Sequence, residues 1–375
     1  MLFDLNETQA ILNETALRLI REKYSFEQRK QIIASPRRWS QELWSELAEL
    51  GILGVEIAEE YGGSGGSFAD AAVVIEAFGR GLCLEPILPT VVIGAGIISA
   101  AGSSAQKGKL LPRIAAGDLI IALAHYEPAC RFSHAISTSA EAREDGFVIN
   151  GSKAVVLGGG DAELLIVSAR TFDDPTCPAG ASLFLIDPLS EGVEIRAYRN
   201  VDDRGAAEVK LENVFVSQDA VLGPLGGAIP LVDTALDRGN AGIICEAVGA
   251  MDAVNELTLD YIKNRAQFGR AIGKFQALQH RMADMFMSAE LARSMKALTL
   301  ASVDLIDPHA RAQAISCAKL QIIQSAQAVG RGAIQLHGGI GMTLEHAAGH
   351  YLRRLTAVEK LFGDQDWHLT RFSAT

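Results

Sequence analysis

Arg265-Ala266-Gln267-Phe268-Gly269 decides how this chain is organised, together with Ile272, Phe275, Gln276 and the run Gln279-His280-Arg281-Met282-Ala283-Asp284-Met285 that follows. Gly269 to Gly273 forms a turn between two helical patterns. An arginine just before such a turn can pair with a diphosphate, because guanidinium presents forked donors that match phosphate oxygens. Phe268 and Phe275 can pack on a flat ligand, and Gln276 stands near the start of a helix, where free N–H groups favour anions. The same spacing also suits a helix–turn–helix corner with a surface arginine, and spacing alone leaves both readings open. A companion lies at Gln335-Leu336-His337-Gly338-Gly339-Ile340-Gly341, where paired glycines admit close approach of backbone or ligand, as in any tight turn.

The 375 residues are 49% hydrophobic and 21% charged, enough for two or three layers with a real core. The 45 acidic residues outweigh 34 basic ones, giving a formal charge of −11 that disfavours a nucleic-acid partner and leaves no polybasic membrane patch. Cys83, Cys130, Cys177, Cys245 and Cys317 form no CxxC pair and read as reduced thiols of a cytoplasmic protein. His125, His280, His337, His346 and His350 share no ligand spacing with cysteines or acids, so no metal site is expected. The N-terminal residues meet an acidic helical pattern rather than a secretory one. Residues 87–102 are uncharged but too short and too interrupted to span a membrane, and read as a buried helix.

Up to about Gly117 the period is helical. Leu43, Trp44, Leu47 and Leu50 recur after a capping Ser40, and Gly51 provides a left-handed stop. The cluster Tyr61-Gly62-Gly63-Ser64-Gly65-Gly66 is a loop without the Lys-Ser/Thr pair that a phosphate loop requires. Near Ile120 the period changes. The short runs at 147–149, 164–167, 183–186, 193–195 and 209–211, separated by turns such as Asp145-Gly146 and Asp187-Pro188, predict a compact β domain, barrel-like in form. The helical period returns from Ile229, with Ile244, Ala247, Val248 and Met251 on one stripe. No GxGxxG follows a strand, which argues against a nicotinamide-binding Rossmann site. The expected architecture is α+β and mostly helical: an N-terminal helical domain over 1–118, a central β domain over 119–226 and a C-terminal four-helix bundle over 227–375.

The Arg265 and Gln335 segments together resemble the acyl-CoA dehydrogenase family of FAD flavoproteins. The likeness covers nearly the whole chain, through Glu59-Glu60-Tyr61-Gly62-Gly63, Glu127-Pro128, Ile149-Asn150-Gly151-Ser152-Lys153 and Tyr351-Leu352-Arg353-Arg354. It implies 2,3-desaturation of an acyl-CoA thioester, with a carboxylate taking the α-proton, the β-hydrogen leaving as hydride to FAD, and an acceptor such as an electron-transfer flavoprotein. It also implies dimers or tetramers in which one subunit's β domain holds the flavin ring and the neighbour holds much of the adenosine diphosphate half. Arg265, Gln267, Phe268, Ile272, Phe275, Gln276, Gln335, Gly338 and Gly339 match that second set.

The reacting side departs from the family pattern. The two positions where the family carries its catalytic glutamate fall on Phe362, before Gly363, and on Gly239. Asp237 and Glu246 are the weak substitutes: Asp237 points to another helix face, and Glu246 lies two helical turns away, where pairing with a polar neighbour is the plainer reading. Tyr126, Phe132, Val155 and Leu157 replace ring-pocket residues, and Asn240 replaces an arginine. The resemblance is closest to the small subunits of heteromeric bacterial acyl-CoA dehydrogenases, such as that of pimeloyl-CoA dehydrogenase. It implies a larger homologous subunit that brings the base and the ring pocket. A self-sufficient homo-oligomer using Glu246 or another acid as a non-standard base, and a flavin-free scaffold of the same fold, are the alternatives.

Overall fold

The computed structural model describes residues 5–128, 130–171 and 180–374. Six helices come first: α1 (Glu7–Lys23), α2 (Phe26–Ala34), α3 (Gln41–Glu49), α4 (Phe68–Gly81), α5 (Ala95–Ala101) and α6 (Ser104–Ala115). Then come the strands β1 (Ile121–Ala124), β2 (Ser139–Arg143), β3 (Gly146–Leu157), β4 (Leu164–Arg170), β5 (Ala181–Ile186), β6 (Val193–Arg199), β7 (Gly205–Ser217) and β8 (Val221–Leu222). The long α7 (Ala228–Asn264) is followed by a small hairpin, β9 (Ala266–Gln267) and β10 (Arg270–Ala271). The chain closes with α8 (Gln276–Ser302), α9 (Pro308–His337), α10 (Ala347–Lys360) and α11 (Gln365–Ser373).

Helix ends follow their sequence signals. Ser40 Oγ accepts the Leu43 N–H at 3.1 Å, and Gly51 takes φ +71° after α3. Asn6 with Gln9 and Ser103 with Gln106 form capping boxes at α1 and α6. Residues 88–101 are helical and largely buried, opening with a widened π-type turn at Leu88–Gly94. No helix among the described residues is long and apolar enough to cross a membrane.

The chain divides into two compact units. One comprises the described parts of residues 35–67 and 84–239. Its eight-stranded sheet runs β6-β7-β3-β2-β4-β5-β8, with β1 parallel to β4. Side chains from every strand, among them Ala140, Phe147, Val167, Phe184 and Val209, meet in one core. Phe147 on β3 and Phe184 on β5, which are not neighbours in the sheet, pack edge to face at 5.1 Å, so the sheet curls over that core. The five runs that alternate or bury in the sequence are β3 to β7; β1, β2 and β8 were not anticipated.

The other unit comprises the described parts of residues 1–34, 68–83 and 240–375. Here α8, α10 and α11 pack on α9, and α1 packs on α4. Helices α4 and α7 touch backbone to backbone. A Cβ on Gly79 would lie 2.0 Å from the Glu246 carbonyl oxygen, and one on Gly249 would lie 1.9 Å from that of Glu76. Glycine is therefore required on both sides of the crossing. Charge rims it: Lys296 reaches Glu76 at 2.6 Å, and Arg293 reaches Asp252 at 3.0 Å.

Candidate functional site

The end of α7 carries the first half of the site. The Arg265 N–H donates to the Tyr261 carbonyl, and the Ile272 N–H donates back to the Arg265 carbonyl, both at 2.8 Å, which closes the β9–β10 hairpin. Its tip is Phe268-Gly269, with φ +52° and +77°. Two successive left-handed residues give the twist that a two-residue hairpin needs, but the first is ordinarily Asn, Asp or Gly. Phe268 is 90% exposed, meets Phe275 edge-on at 6.1 Å, and Arg270 stacks on Phe275 at 4.1 Å. Gln276 then opens α8.

Tyr261 joins this hairpin to the second segment. Its hydroxyl donates to the His337 carbonyl at 3.3 Å, and the two rings stack at 4.5 Å. Gly338, at φ +64°, and Gly339 end α9, and a Cβ added to either would meet no atom within 4 Å. The Arg265 and Gln335 segments, 70 residues apart, are thus tied through one tyrosine. Tyr261 carries no motif signal in the sequence; only its place on the α7 stripe, four residues before Arg265, marks it. A groove of about 610 Å³ flanks the hairpin, lined by Ile262, Lys263, Lys274, Gln279, Met282 and Phe286 among others.

The side chains of Arg265, Gln267, Gln276 and Gln335 are exposed and make no hydrogen bond within the described chain. A guanidinium and three amides without partners among the described residues, together with two unobstructed glycines, are donors of the kind that suit a diphosphate.

The two positions where a base was looked for hold no acid. Phe362 is buried, with φ +55°, and Gly363 follows at φ +118°. Asn240 Nδ2 donates to the Phe362 carbonyl at 3.1 Å, while Lys319 Nζ donates to Asn240 Oδ1 at 3.0 Å and to the Leu361 carbonyl at 2.8 Å. Burial, with Arg354 nearby, pushes the Lys319 ammonium down to about 7. In the sequence Lys319 stands out only as a lysine in the mostly apolar stretch 318–329. Asp364 does not project from the turn as a free acid, since it accepts the Trp367 N–H at 3.0 Å and caps α11.

Glu246 is held by Arg354. The guanidinium donates from Nε to Oε1 at 2.8 Å and from Nη2 to Oε2 at 2.5 Å, with both side chains 2% exposed. Asp237 is buried, and its neighbour Arg238 pairs with Glu56.

On the sheet, Lys153 donates to Glu127 at 2.8 Å in the interior. Burial raises the Glu127 carboxyl, but the ammonium and the Thr138 donors outweigh it and hold it at about 2; burial also brings Lys153 down to about 8. Ala154 donates to the Tyr126 carbonyl at 2.8 Å, and Val155 forms a bulge at φ +52°. The Tyr126 ring lies between His125, at 5.4 Å, and Phe132, at 5.9 Å. Among the described residues no group of three or more His, Cys, Asp or Glu could hold a metal. Cys83, Cys130, Cys245 and Cys317 are in no disulfide, and Cys177 lies outside the described residues.

Comparison with known proteins decides the family. Residues 6–118, 128–214 and 229–374 match, in turn, the N-terminal, middle and C-terminal domains of acyl-CoA dehydrogenases. The chain belongs to the acyl-CoA dehydrogenase family. Members are FAD-dependent oxidoreductases that desaturate acyl-CoA. The probable acyl-CoA dehydrogenase YngJ of Bacillus subtilis is 32% identical, over 84% of each chain. Butyryl-CoA dehydrogenase of Megasphaera elsdenii superposes with a TM-score of 0.90 at 25% identity, covering 99% of this chain and 98% of that one. The Tcur3481–Tcur3483 steroid ACAD gives 0.88 at 27% identity, over 98% and 97%. The acyl-CoA dehydrogenase fold has helical N- and C-terminal domains around a β domain, as the sequence implied.

Proposed function

We propose that this chain is the base-less subunit of a hetero-oligomeric acyl-CoA dehydrogenase, completing a flavin site whose ring pocket and catalytic base come from a larger homologous subunit. The carrying observation is the division between two sets of residues. Arg265, Gln267, Gln276 and Gln335 make no side-chain hydrogen bond among the described residues, and Gly338 and Gly339 are unobstructed, whereas the two positions where the family resemblance puts the base are Phe362 and Gly239, and Glu246 is sequestered by Arg354. The Tcur3481–Tcur3483 enzyme, named for two polypeptides, supports such an assembly.

In this reading Arg265 would take diphosphate oxygens with its fork, and the Gly338-Gly339 backbone would admit the same group closely. Phe268 and Phe275 would cover the flat adenosine side, and Tyr261 holds the two segments in register. FAD, when bound, supplies the hydride acceptor for acyl-CoA oxidation. This chain's residues bind and orient it and move no proton of the substrate. An acceptor such as an electron-transfer flavoprotein would take up the reducing equivalents.

The test is FAD content and acyl-CoA-dependent dye reduction, first on the chain purified alone and then on the chain co-expressed with a larger homologue. Loosely held flavin and no turnover alone, restored by the partner with about half as many flavins as chains, is the expected result for one shared site per pair. One tightly held FAD per chain with full turnover would overturn it and favour a self-sufficient homo-oligomer. No flavin under either condition would leave the scaffold reading.

A further inference from the structure

Helix α8 is apolar on two faces, and the described residues cover one of them. Met285, Ala289 and Ala292 are buried, and a Cβ on Gly332 of α9 would lie 2.7 Å from the Met285 sulfur. On the opposite face Ala283, Met287, Leu291, Ser294, Leu298 and Ala301 recur at three- and four-residue spacing, and none is charged. Met287 and Leu291 are more than half exposed, as is Phe286 beside them. A helix face that stays in water ordinarily carries charged and polar residues instead.

The two ends of α8 have opposite chemistry. Around its start, Lys263, Arg265, Arg270, Lys274 and Arg281 are all exposed, with no acid in the sequence between Asp260 and Asp284, and none forms an ion pair among the described residues. The groove beside the hairpin sets Lys263 and Lys274 among Leu259, Ile262, Met282 and Phe286. Just past the other end, Asp304-Leu305-Ile306-Asp307 is exposed throughout, and Ile306 stands 97% exposed between the two acids. Asp307 accepts the His309 N–H at 3.0 Å and caps α9, which ties this tip to the bundle.

The tip is acidic around an apolar centre, and the groove is basic around apolar walls, so the two are complementary. Helix α8 holds them about 40 Å apart, and no copy can join its own. A second copy can. Antiparallel packing across a two-fold axis beside Ala292 and Arg293 sets Met287 opposite Leu298 and Leu291 opposite Ser294, with Ala283 near Ala301. The same register carries Asp304 to Arg281 and Ile306 to Gln279, which lines the groove.

We propose that two copies of this chain associate through antiparallel α8 helices, each seating its 304–307 tip in the groove beside the other's hairpin. The contact uses the same surface on both copies and therefore closes at two. Uncharged side chains fill its middle, and opposite charges meet at both ends, which fixes the register. Ala271, Gly273 and Lys274, on the return side of the hairpin, line the groove, so each copy braces the hairpin that carries the other's Arg265. The pairing does not depend on which chain completes the flavin site.

Sedimentation of the intact chain without any other polypeptide tests it. Twice the chain mass is expected, and Leu291→Glu should weaken the association at least a hundredfold with the helical circular dichroism unchanged, since the side chain is exposed within one copy. Arg281→Glu and Asp304→Arg should each weaken it roughly tenfold, by placing like charges together, and the two combined should return it to within about threefold. Met287→Cys with Leu298→Cys should give a covalent dimer under mild oxidation, whereas neither single variant should. The two positions lie about 16 Å apart along one helix and cannot bridge within a copy. A monomer at every concentration, a dimer indifferent to Leu291→Glu, a reversed charge pair that stays weak, or crosslinking no greater in the double variant would each overturn the pairing. Association only with a larger homologue would overturn it too, by giving the α8 face to that partner.

Discussion

Arg354 Nε lies 2.8 Å from Glu246 Oε1 and Nη2 lies 2.5 Å from Oε2, a bidentate pair in which both side chains are 2% exposed. Breaking such a pair from one side leaves a buried charge alone, at a cost of about 3–5 kcal/mol. Glu246→Gln is therefore expected to lower the unfolding free energy by that amount, read as a lower urea midpoint at unchanged slope, while leaving turnover per flavin in the assembled enzyme unchanged. Lost turnover with an unchanged midpoint would make Glu246 a participant in the reaction.

Lys319 makes stability depend on pH in alkaline solution. Its folded value of about 7 lies below the ordinary 10.5. Between those values the unfolded chain binds a proton that the folded chain does not, so stability rises with pH, by up to about 1.4 kcal/mol per pH unit. The gain is lost as pH falls toward 7, and below that both states carry the proton. Urea unfolding at about pH 7.5 and pH 9 should show the slope in the wild type and not in Lys319→Met.

Arg265→Ala removes a side chain with no partner among the described residues, so the melting temperature should not move. If Arg265 grips a diphosphate, flavin affinity in the assembled enzyme should fall by about ten- to a hundredfold, the equivalent of a charge-assisted bond. Flavin fluorescence during dilution measures it. Arg265→Lys should recover only part of the loss, because a point charge lacks the fork.

Two glycine substitutions should have opposite signs. Gly249→Ala forces a Cβ to 1.9 Å from the Glu76 carbonyl oxygen and must part α4 from α7, costing about 3 kcal/mol or more. Gly108 lies in α6 with nothing within 4 Å of an added Cβ, so Gly108→Ala should stabilise by roughly 0.5–1 kcal/mol. Thermal melts of the two variants give the comparison.

Elements set by local rules were legible in the sequence. Ser40 and Gly51 bound α3 as their chemistry requires, and the alternating or buried runs became β3 to β7. Strands β1 and β2 were not legible: Ile121–Ala124 is short and continuous with apolar residues before it, and Ser139–Arg143 has little apolar character, so only pairing with β4 and β3 makes them strands. Arg265 and Gln335 could be picked out as motifs, but the tyrosine that links them could not, because a ring on an apolar helical stripe looks like core. Lys319 was hidden for the opposite reason. Nothing in a one-dimensional pattern says that a lysine among alanines and isoleucines will turn inward to two neutral oxygens.

The hairpin tip sets a condition on supply. Phe268 keeps an aromatic ring almost wholly in water on a left-handed turn that disfavours it, and no described residue of the chain covers it. In an assembly of two polypeptides, each copy made without a counterpart presents that ring to any apolar surface it meets. Matched synthesis of the two chains then becomes a physical requirement, and surplus copies should be the first to aggregate or be degraded.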